Sequence, residues 1–283
     1  PYMGASNMNP RLNDFIKNHY PNYKSDFFSA FIVRGSEMTK PEGYCGYFTP
    51  YVWMFIQSYE KLREYLYSNA TIETLIQFEY SAFEEATVPV CTFAFKNSHD
   101  SKKGCYLRLV DFRGGMEVQR QKTLEAIANH DCGFYYEQNT DNFSKIPGSP
   151  VAYWVSKNFI DAFASAATIG EKAVARSGLS TGDNERFMRL WYEPSVNSIA
   201  FGLTSNEQYI ATGRKFVPCN KGGLYRRWYG NNDYVIDWTN PDAMHRPRTT
   251  YMNLYYRPAI TWSAITSALF NARVYGVGFL FDH

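Results

Sequence analysis

Apolar and polar positions along this chain follow two periods, and the switches between them outline its elements. Asn9-Pro10 joins a capping side chain to a proline suited to a first helical turn, so the pattern predicts a helix to about His19, ending before Pro21. Ser25-Asp26 caps a second helix with Phe27, Phe28, Phe31 and Ile32 on one face. Lys40-Pro41-Glu42-Gly43 reads as a turn and Tyr44 to Thr49 as a strand. Trp53 to Tyr67 places Phe55, Tyr59, Leu62 and Leu66 at helical spacing, and Thr71 to Phe78 returns to strand. Val88 to Lys96 and Cys105 to Asp111 look like the arms of a hairpin around the polar loop Asn97 to Gly104. Gln119 to Asn129 reads as a helix. Strands alternating with helices predict an α/β layer with a largely parallel sheet.

The pattern changes at Ser144-Lys145-Ile146-Pro147-Gly148-Ser149-Pro150, whose punctuation marks it as a linker. Beyond it strands are short and glycines frequent. Charge changes there too. Residues 1–144 carry 14 Lys+Arg against 17 Asp+Glu, and residues 145–283 carry 15 against 10, so a net charge of +2 conceals a mildly basic C-terminal half. At 283 residues with 45% hydrophobic positions, two domains with self-sufficient cores are expected, and 23 Tyr, 21 Phe and 6 Trp exclude a disordered chain. No stretch approaches ~18 uncharged apolar residues, so no transmembrane helix is expected, and no basic-then-apolar leader is visible. The chain opens at Pro1 rather than methionine and stops inside the apolar run Gly278 to His283, which reads as a fragment of a longer protein.

The five scattered cysteines, Cys45, Cys91, Cys105, Cys132 and Cys219, form no Cys-x-x-Cys pair and point to a reducing cytoplasm. The histidines are isolated, so no metal site is expected. Phosphate loops, dinucleotide fingerprints and the nucleophile elbow are absent. Glu84-Glu85 reads as a carboxylate pair or as a solvated loop. Pro241-Asp242 lacks the acidic-x-Lys partner of a nuclease.

One segment joins charge to aromatics. Gly222 to Asn232 packs Arg226, Arg227, Tyr225, Trp228, Tyr229, Asn231 and Asn232 between glycines. Arg186 and Arg189 sit near Trp191-Tyr192, and Arg246, Arg248 and Arg257 flank Tyr251, Tyr255 and Tyr256. Arginine neutralises phosphate and grips guanine, asparagine can read adenine, and aromatics stack on exposed bases. The alternatives are an ordinary β-rich surface with amphipathic arginines, or a carbohydrate- or protein-binding face. Arg226, Arg227, Tyr229, Asn231 and Asn232 are the expected DNA-facing cluster, with Thr181, Asp183 and Asn184 as a second loop.

An ordered series of motifs resembles the adenine-N6 DNA methyltransferases, most closely the type IIG-like and BREX PglX family of bacterial restriction and phage-defence systems. Pro1-Tyr2-Met3-Gly4 resembles the end of that family's Asn-Pro-Pro-Tyr motif, and Ser25 to Phe31 the helix after it. Gly43 to Trp53 resembles the next strand, while Ala82-Phe83-Glu84-Glu85 and Val90 to Lys96 are similar to the late catalytic strands. Asn142 to Pro150, Gly178 to Asn184, Asn220 to Gly223 and Trp228 to Asn231 resemble the entry, opening and middle of the target-recognition region.

The resemblance implies an α/β fold: the C-terminal half of a Rossmann-like class I methyltransferase domain (1–143), the linker 144–150, and a β-rich, α+β target-recognition domain (151–283) truncated at its C-terminal side. It implies S-adenosylmethionine as methyl donor and double-stranded DNA with a flipped adenine as partner, beside other phage-defence proteins and with no membrane. An Asn side chain and a proline carbonyl would accept hydrogen bonds from the N6 amine, and positioning supplies most of the gain. Pro1, Tyr2 and Phe95 take the catalytic roles: Tyr2 stacks on the base, or is a frayed terminus; Phe95 closes the other face, or is a core strand residue. The motif's Asn and first Pro and the glycine-rich cofactor loop are not in this chain, so the chain alone is expected to be inactive. A DNA-specificity module without chemistry is the alternative.

Overall fold

A computed structural model describes residues 2–80, 88–263 and 269–282. The chain forms two compact units, Pro1–Lys172 and Ala173–His283.

In the first unit, α1 (Pro10–His19) starts where the sequence predicts: the Asn9 side chain accepts the Leu12 amide at 2.9 Å. The next helix, α2 (Phe27–Met38), is capped by Asp26 and buries Phe28 and Ile32, while Phe31 stays exposed. β1 (Tyr44–Pro50) is followed by two 3-10 turns, Tyr51–Met54 and Gln57–Tyr59, before α3 (Glu60–Asn69), so the predicted helix from Trp53 begins late. Then come β2 (Thr71–Gln77), β3 (Val90–Lys96), β4 (Lys103–Arg108), α4 (Gly115–Ala128), β5 (Tyr135–Asn139), α5 (Lys157–Ser165) and the short α6 (Ile169–Lys172).

The sheet order β1-β3-β2-β4-β5 corrects two expectations. β3 inserts antiparallel between β1 and β2, and only β2 and β4 pair in parallel, so the sheet is mixed rather than largely parallel. β3 and β4 are not a hairpin, because β2 lies between them. A polar loop between two strands signals a turn, not which strands pair across it. The core joins Phe28, Ile32, Leu62 and Leu66 from the helices to Ile72, Leu75, Phe93 and Phe95 from the strands. Gly35 leaves room for Tyr47: a Cβ on it would lie 1.7 Å from the Tyr47 hydroxyl and displace it from the Phe31 carbonyl, to which it donates at 3.1 Å.

The Ser144–Pro150 stretch is not a linker. The guanidinium of buried Arg63 donates to the carbonyls of Trp53 (2.6 Å), Ile56 (2.9 Å) and Gly148 (2.6 and 3.1 Å). The Tyr67 hydroxyl donates to the Ser149 carbonyl at 3.0 Å, and the Val151 amide to that of Met54 at 2.9 Å. Proline and glycine here build a turn, with Gly148 and Ser149 at positive φ, that is bolted to the core, and the unit continues to Lys172.

The second unit adds α7 (Asn184–Phe187), β6 (Met188–Leu190), α8 (Asn206–Thr212), β7 (Phe216–Asn220), β8 (Tyr234–Asp237), β9 (Ala259–Trp262), β10 (Ala272–Tyr275) and β11 (Leu280–Phe281). One sheet runs β11-β7-β8-β6, and β9 and β10 form a separate antiparallel ribbon. Its core gathers Leu179, Val217, Ile236, Trp238, Tyr255, Tyr256 and Leu280. Tyr255 and Tyr256 are therefore packing residues, not stacking platforms. Among the described residues no helix is long and apolar enough to cross a membrane.

Candidate catalytic edge and nucleic-acid interface

Tyr2 is held in place. The Met3 amide donates to the Asp26 carboxylate at 3.0 Å, the same carboxylate oxygen that caps α2, and the Phe27 and Ala5 amides donate to the carbonyls of Met3 and Ser25. This stitching sets Tyr2 at the C-terminal end of β1, where its hydroxyl donates to the Phe48 carbonyl at 3.0 Å. About half of Tyr2 stays exposed (48%). Partial burial, then the nearby Cys91 thiol, raises its phenol pKa. A half-exposed phenol fixed at its oxygen is suited to stacking and not to proton transfer. Pro1 lies outside the described residues.

Phe95 is corrected. It is fully buried in β3, in register with Cys45 on one side and Ile72 on the other, and stacks with Tyr47 at 6.0 Å between centroids. A ring without solvent-facing surface cannot close over a base. The alternation that made β3 legible also put Val90, Cys91, Phe93 and Phe95 into the core. Glu84-Glu85, with Ala82 and Phe83, lies outside the described residues.

The edge near Tyr2 holds aromatics that sequence spacing does not connect. Thr49, Cys91, Gln77 and Arg108 are register partners, one row across β1, β3, β2 and β4. Phe48 and Tyr80 are exposed beside that row, Tyr51 and Phe55 half-buried, and Trp154 lies under the Arg108 guanidinium at 5.4 Å. Burial raises the Tyr51 phenol pKa against the opposing pull of Arg108.

In the second unit the predicted cluster divides. Arg226, Arg227 and Tyr229 are exposed on the loop between β7 and β8. Asn231 is buried: its amide donates to the Leu224 carbonyl at 3.2 Å, and its φ of 61° turns the chain. Asn232 accepts the Asn220 amide at 2.6 Å. The two asparagines hold the loop and are not free to read bases, because a short-range amide is the cheapest way to satisfy a tight turn. Trp228 of this loop, named in the segment, is not in the expected DNA-facing cluster. It is 71% exposed with φ of 74°, costly for a bulky residue, and is held by its backbone: its amide donates to the Ala272 carbonyl at 2.7 Å and its carbonyl accepts the Val274 amide at 2.9 Å. Its signal in the sequence is the Trp-Tyr-Gly-Asn run itself.

Thr181, Asp183 and Asn184 also separate. The Thr181 hydroxyl donates to the Asn184 side-chain oxygen at 2.6 Å, and both line a cleft of about 310 Å³ with Leu179, Ser180, Gly182, Met188 and Asp282. The Asp183 carboxylate is spent on the Arg186 amide at 3.0 Å, capping α7. Arg189 donates through Nη1 to the Glu185 and Met188 carbonyls.

Residues 1–83 match the family model of the Eco57I restriction-modification methylase. The adenine-specific methyltransferase PglX of Lacticaseibacillus casei (strain Zhang) is 38% identical over the full chain, which spans 24% of that protein. The adenine-specific methyltransferase BrxX of Escherichia coli O9:H4 (strain HS) is 33% identical over the full chain, which spans 23% of it. This chain is similar to adenine-specific methyltransferases from end to end. Among solved structures, the type IIL restriction-modification enzyme MmeI in complex with DNA aligns over 100% of the chain and 39% of its own, at 10% identity and a TM-score of 0.51. The type ISP restriction-modification enzyme LlaGI with a DNA substrate mimic aligns over 100% and 33%, at 13% identity and a TM-score of 0.50. These two support the fold. The methylase-family match covers Tyr2 and the strand end on which it sits, while the PglX and BrxX likeness continues through the Arg226 loop.

Proposed function

We propose that this chain is part of a site-specific DNA methyltransferase that transfers a methyl group from S-adenosylmethionine to adenine N6 in duplex DNA, in restriction-modification or phage defence. The observation that carries the reading is Tyr2: the tyrosine ending the resembled Asn-Pro-Pro-Tyr motif is pinned by its hydroxyl at a strand end with its body half exposed. There it stacks on a flipped adenine and orients the base for methyl transfer at N6. Residues 2–143, with the packed segment to Lys172, carry the catalytic side. Residues 173–283 carry target recognition through Arg226, Arg227, Trp228 and Tyr229, with Thr181 and Asn184 at a second contact. Other phage-defence proteins are its partners.

Among the described residues, the one Gly-Gly turn that follows a strand of the first sheet is already occupied. The turn that leads from β4 into α4 through Gly114-Gly115 has both amides taken by the buried Glu79 carboxylate, at 3.1 and 2.7 Å. The donor's carboxylate or ribose cannot use them while Glu79 is there. On this reading the glycine-rich cofactor loop of the resembled family, which is not in this chain, binds the donor, and the chain alone is inactive.

Incubating the full-length protein with labelled S-adenosylmethionine and unmodified duplex DNA tests the reading. N6-methyladenine at one recurrent sequence, lost in Tyr2→Ala, is expected. DNA binding without any methyl transfer by the wild type would replace it with a specificity module that does no chemistry.

A further inference from the structure

We propose that Trp154 and Arg108, with Phe55 and Tyr51 behind them, form a second nucleotide-contact ledge on the edge that carries Tyr2, gripping a DNA nucleotide within about four positions of the target base. The proposal rests on the methyltransferase reading above and names a contact to DNA that the Arg226 loop does not make.

The ledge is built by topology. Arg108 ends the register row that begins at Thr49, next to the Phe48 carbonyl holding Tyr2. Three strand spacings of about 4.8 Å separate the two ends of the row, roughly 14 Å, or about four nucleotide rises of 3.4 Å. One strand of nucleic acid can therefore touch both ends.

Trp154 is exposed yet fixed. The buried Tyr153 before it donates its hydroxyl to the Gln77 side chain at 2.8 Å, and Gln77 is itself the register partner of Arg108. Phe55 meets the Trp154 ring edge-on at 5.7 Å, and Tyr51 meets Phe55 at 6.2 Å. The Arg108 guanidinium lies over Trp154. Its carboxylate partner, Asp111, is 72% exposed while Arg108 is half-buried, and a pair with one partner in solvent is held weakly, at about 1 kcal/mol, so phosphate can take its place. An indole held rigid beside an arginine at the rim of a base-binding edge matches the chemistry of an unstacked nucleotide: a π-face for the base and a cation for the phosphate. Sugars would use the indole but have no need of the cation.

The test uses the full-length protein and a labelled duplex carrying the sequence at which it deposits N6-methyladenine. Trp154→Ala is expected to weaken binding about tenfold, and Trp154→Phe to restore most of it. Arg108→Gln, which keeps a polar side chain at this half-buried position, is expected to reduce the slope of log affinity against log salt by about 0.9, one phosphate's worth. Trp154→Ala and Arg108→Gln are both expected to lose backbone footprint protection at one position within about four nucleotides of the methylated adenine. Wild-type affinity, salt slope and footprint in Arg108→Gln, together with unchanged affinity in a folded Trp154→Ala, would overturn the ledge. Failure of the wild type to methylate DNA would overturn instead the reading on which it rests.

Discussion

The two arginine–aromatic clusters of this chain are built in opposite ways. Arg108 and Trp154 stand at the end of a register row, fixed from beneath by Tyr153, Gln77 and the turn that Arg63 clamps. Arg226, Arg227, Trp228 and Tyr229 ride a loop that hangs on the backbone of Trp228 and the amides of Asn220, Asn231 and Asn232. The first places one contact where strand geometry dictates. The second offers several contacts on a turn that stores strain at positive φ. On the proposed reading, similar residue types serve two tasks: fixed geometry suits a reacting edge, and a presented loop suits a surface that must fit a groove.

The sharpest way to break this contrast is to loosen the fixed edge. Arg63→Met strands three backbone carbonyls and is expected to cost about 3–4 kcal/mol in urea unfolding of the chain. A cost below 1 kcal/mol would mean that residues 144–150 do behave as a linker. Phe95→Ala is expected to lose about 3–5 kcal/mol through the cavity it leaves, while Phe95→Leu in the full-length protein keeps its methylation rate. A Phe95→Leu protein of normal stability and collapsed turnover would return Phe95 to the base-binding site.

The loop is tested next. Arg226→Ala with Arg227→Ala is expected to weaken duplex binding by about 1–3 kcal/mol where either reads a base, and to lower the salt slope by up to about 1.8. Asn231→Ala removes a turn-forming side chain and its bond to Leu224, for about 1–2 kcal/mol of stability, whereas Asn231→Gly, which tolerates the same φ, costs less. Equal effects on base discrimination from Asn231 and Arg226 variants would make the asparagine a reader after all.

The smallest effect is alkaline. Burial pushes the Cys91 thiol up to about 12 and the Tyr47 phenol up to about 12. Both ionise more readily once unfolded, so their contribution is complete below about pH 9 and is lost as pH rises toward 12, at no more than about 1.4 kcal/mol per pH unit per group. Melting of Cys91→Ala should be less steeply pH-dependent between pH 9 and 12 than that of the wild type.

Much of this was legible in the sequence where signals are local. Asn9, Asp26, the Lys40–Gly43 turn and the strand alternation of Val90 to Lys96 each fix their own neighbourhood. The Arg226 loop was visible because its residues are contiguous. What escaped depends on pairing at a distance. No spacing places β2 between β3 and β4, and none brings residues 51, 55, 108 and 154 to one edge. The Ser144–Pro150 stretch misled because punctuation reports a turn and is silent on the arginine that binds it. Phe95 misled because an alternating aromatic strand residue looks alike whether its ring faces a core or a ligand.

The central claim is a division of labour: Tyr2 serves the reacting base and the Arg226 loop serves attachment to DNA. Measuring duplex affinity and single-turnover methyl transfer at saturating DNA, side by side in full-length Tyr2→Ala and Arg226→Ala/Arg227→Ala proteins, tests it most directly. The account predicts that Tyr2→Ala slows transfer with little change in affinity, and that the double arginine variant loses affinity but transfers near the normal rate once saturated. Slowed saturated transfer in the arginine variant, with wild-type transfer in Tyr2→Ala, would contradict it.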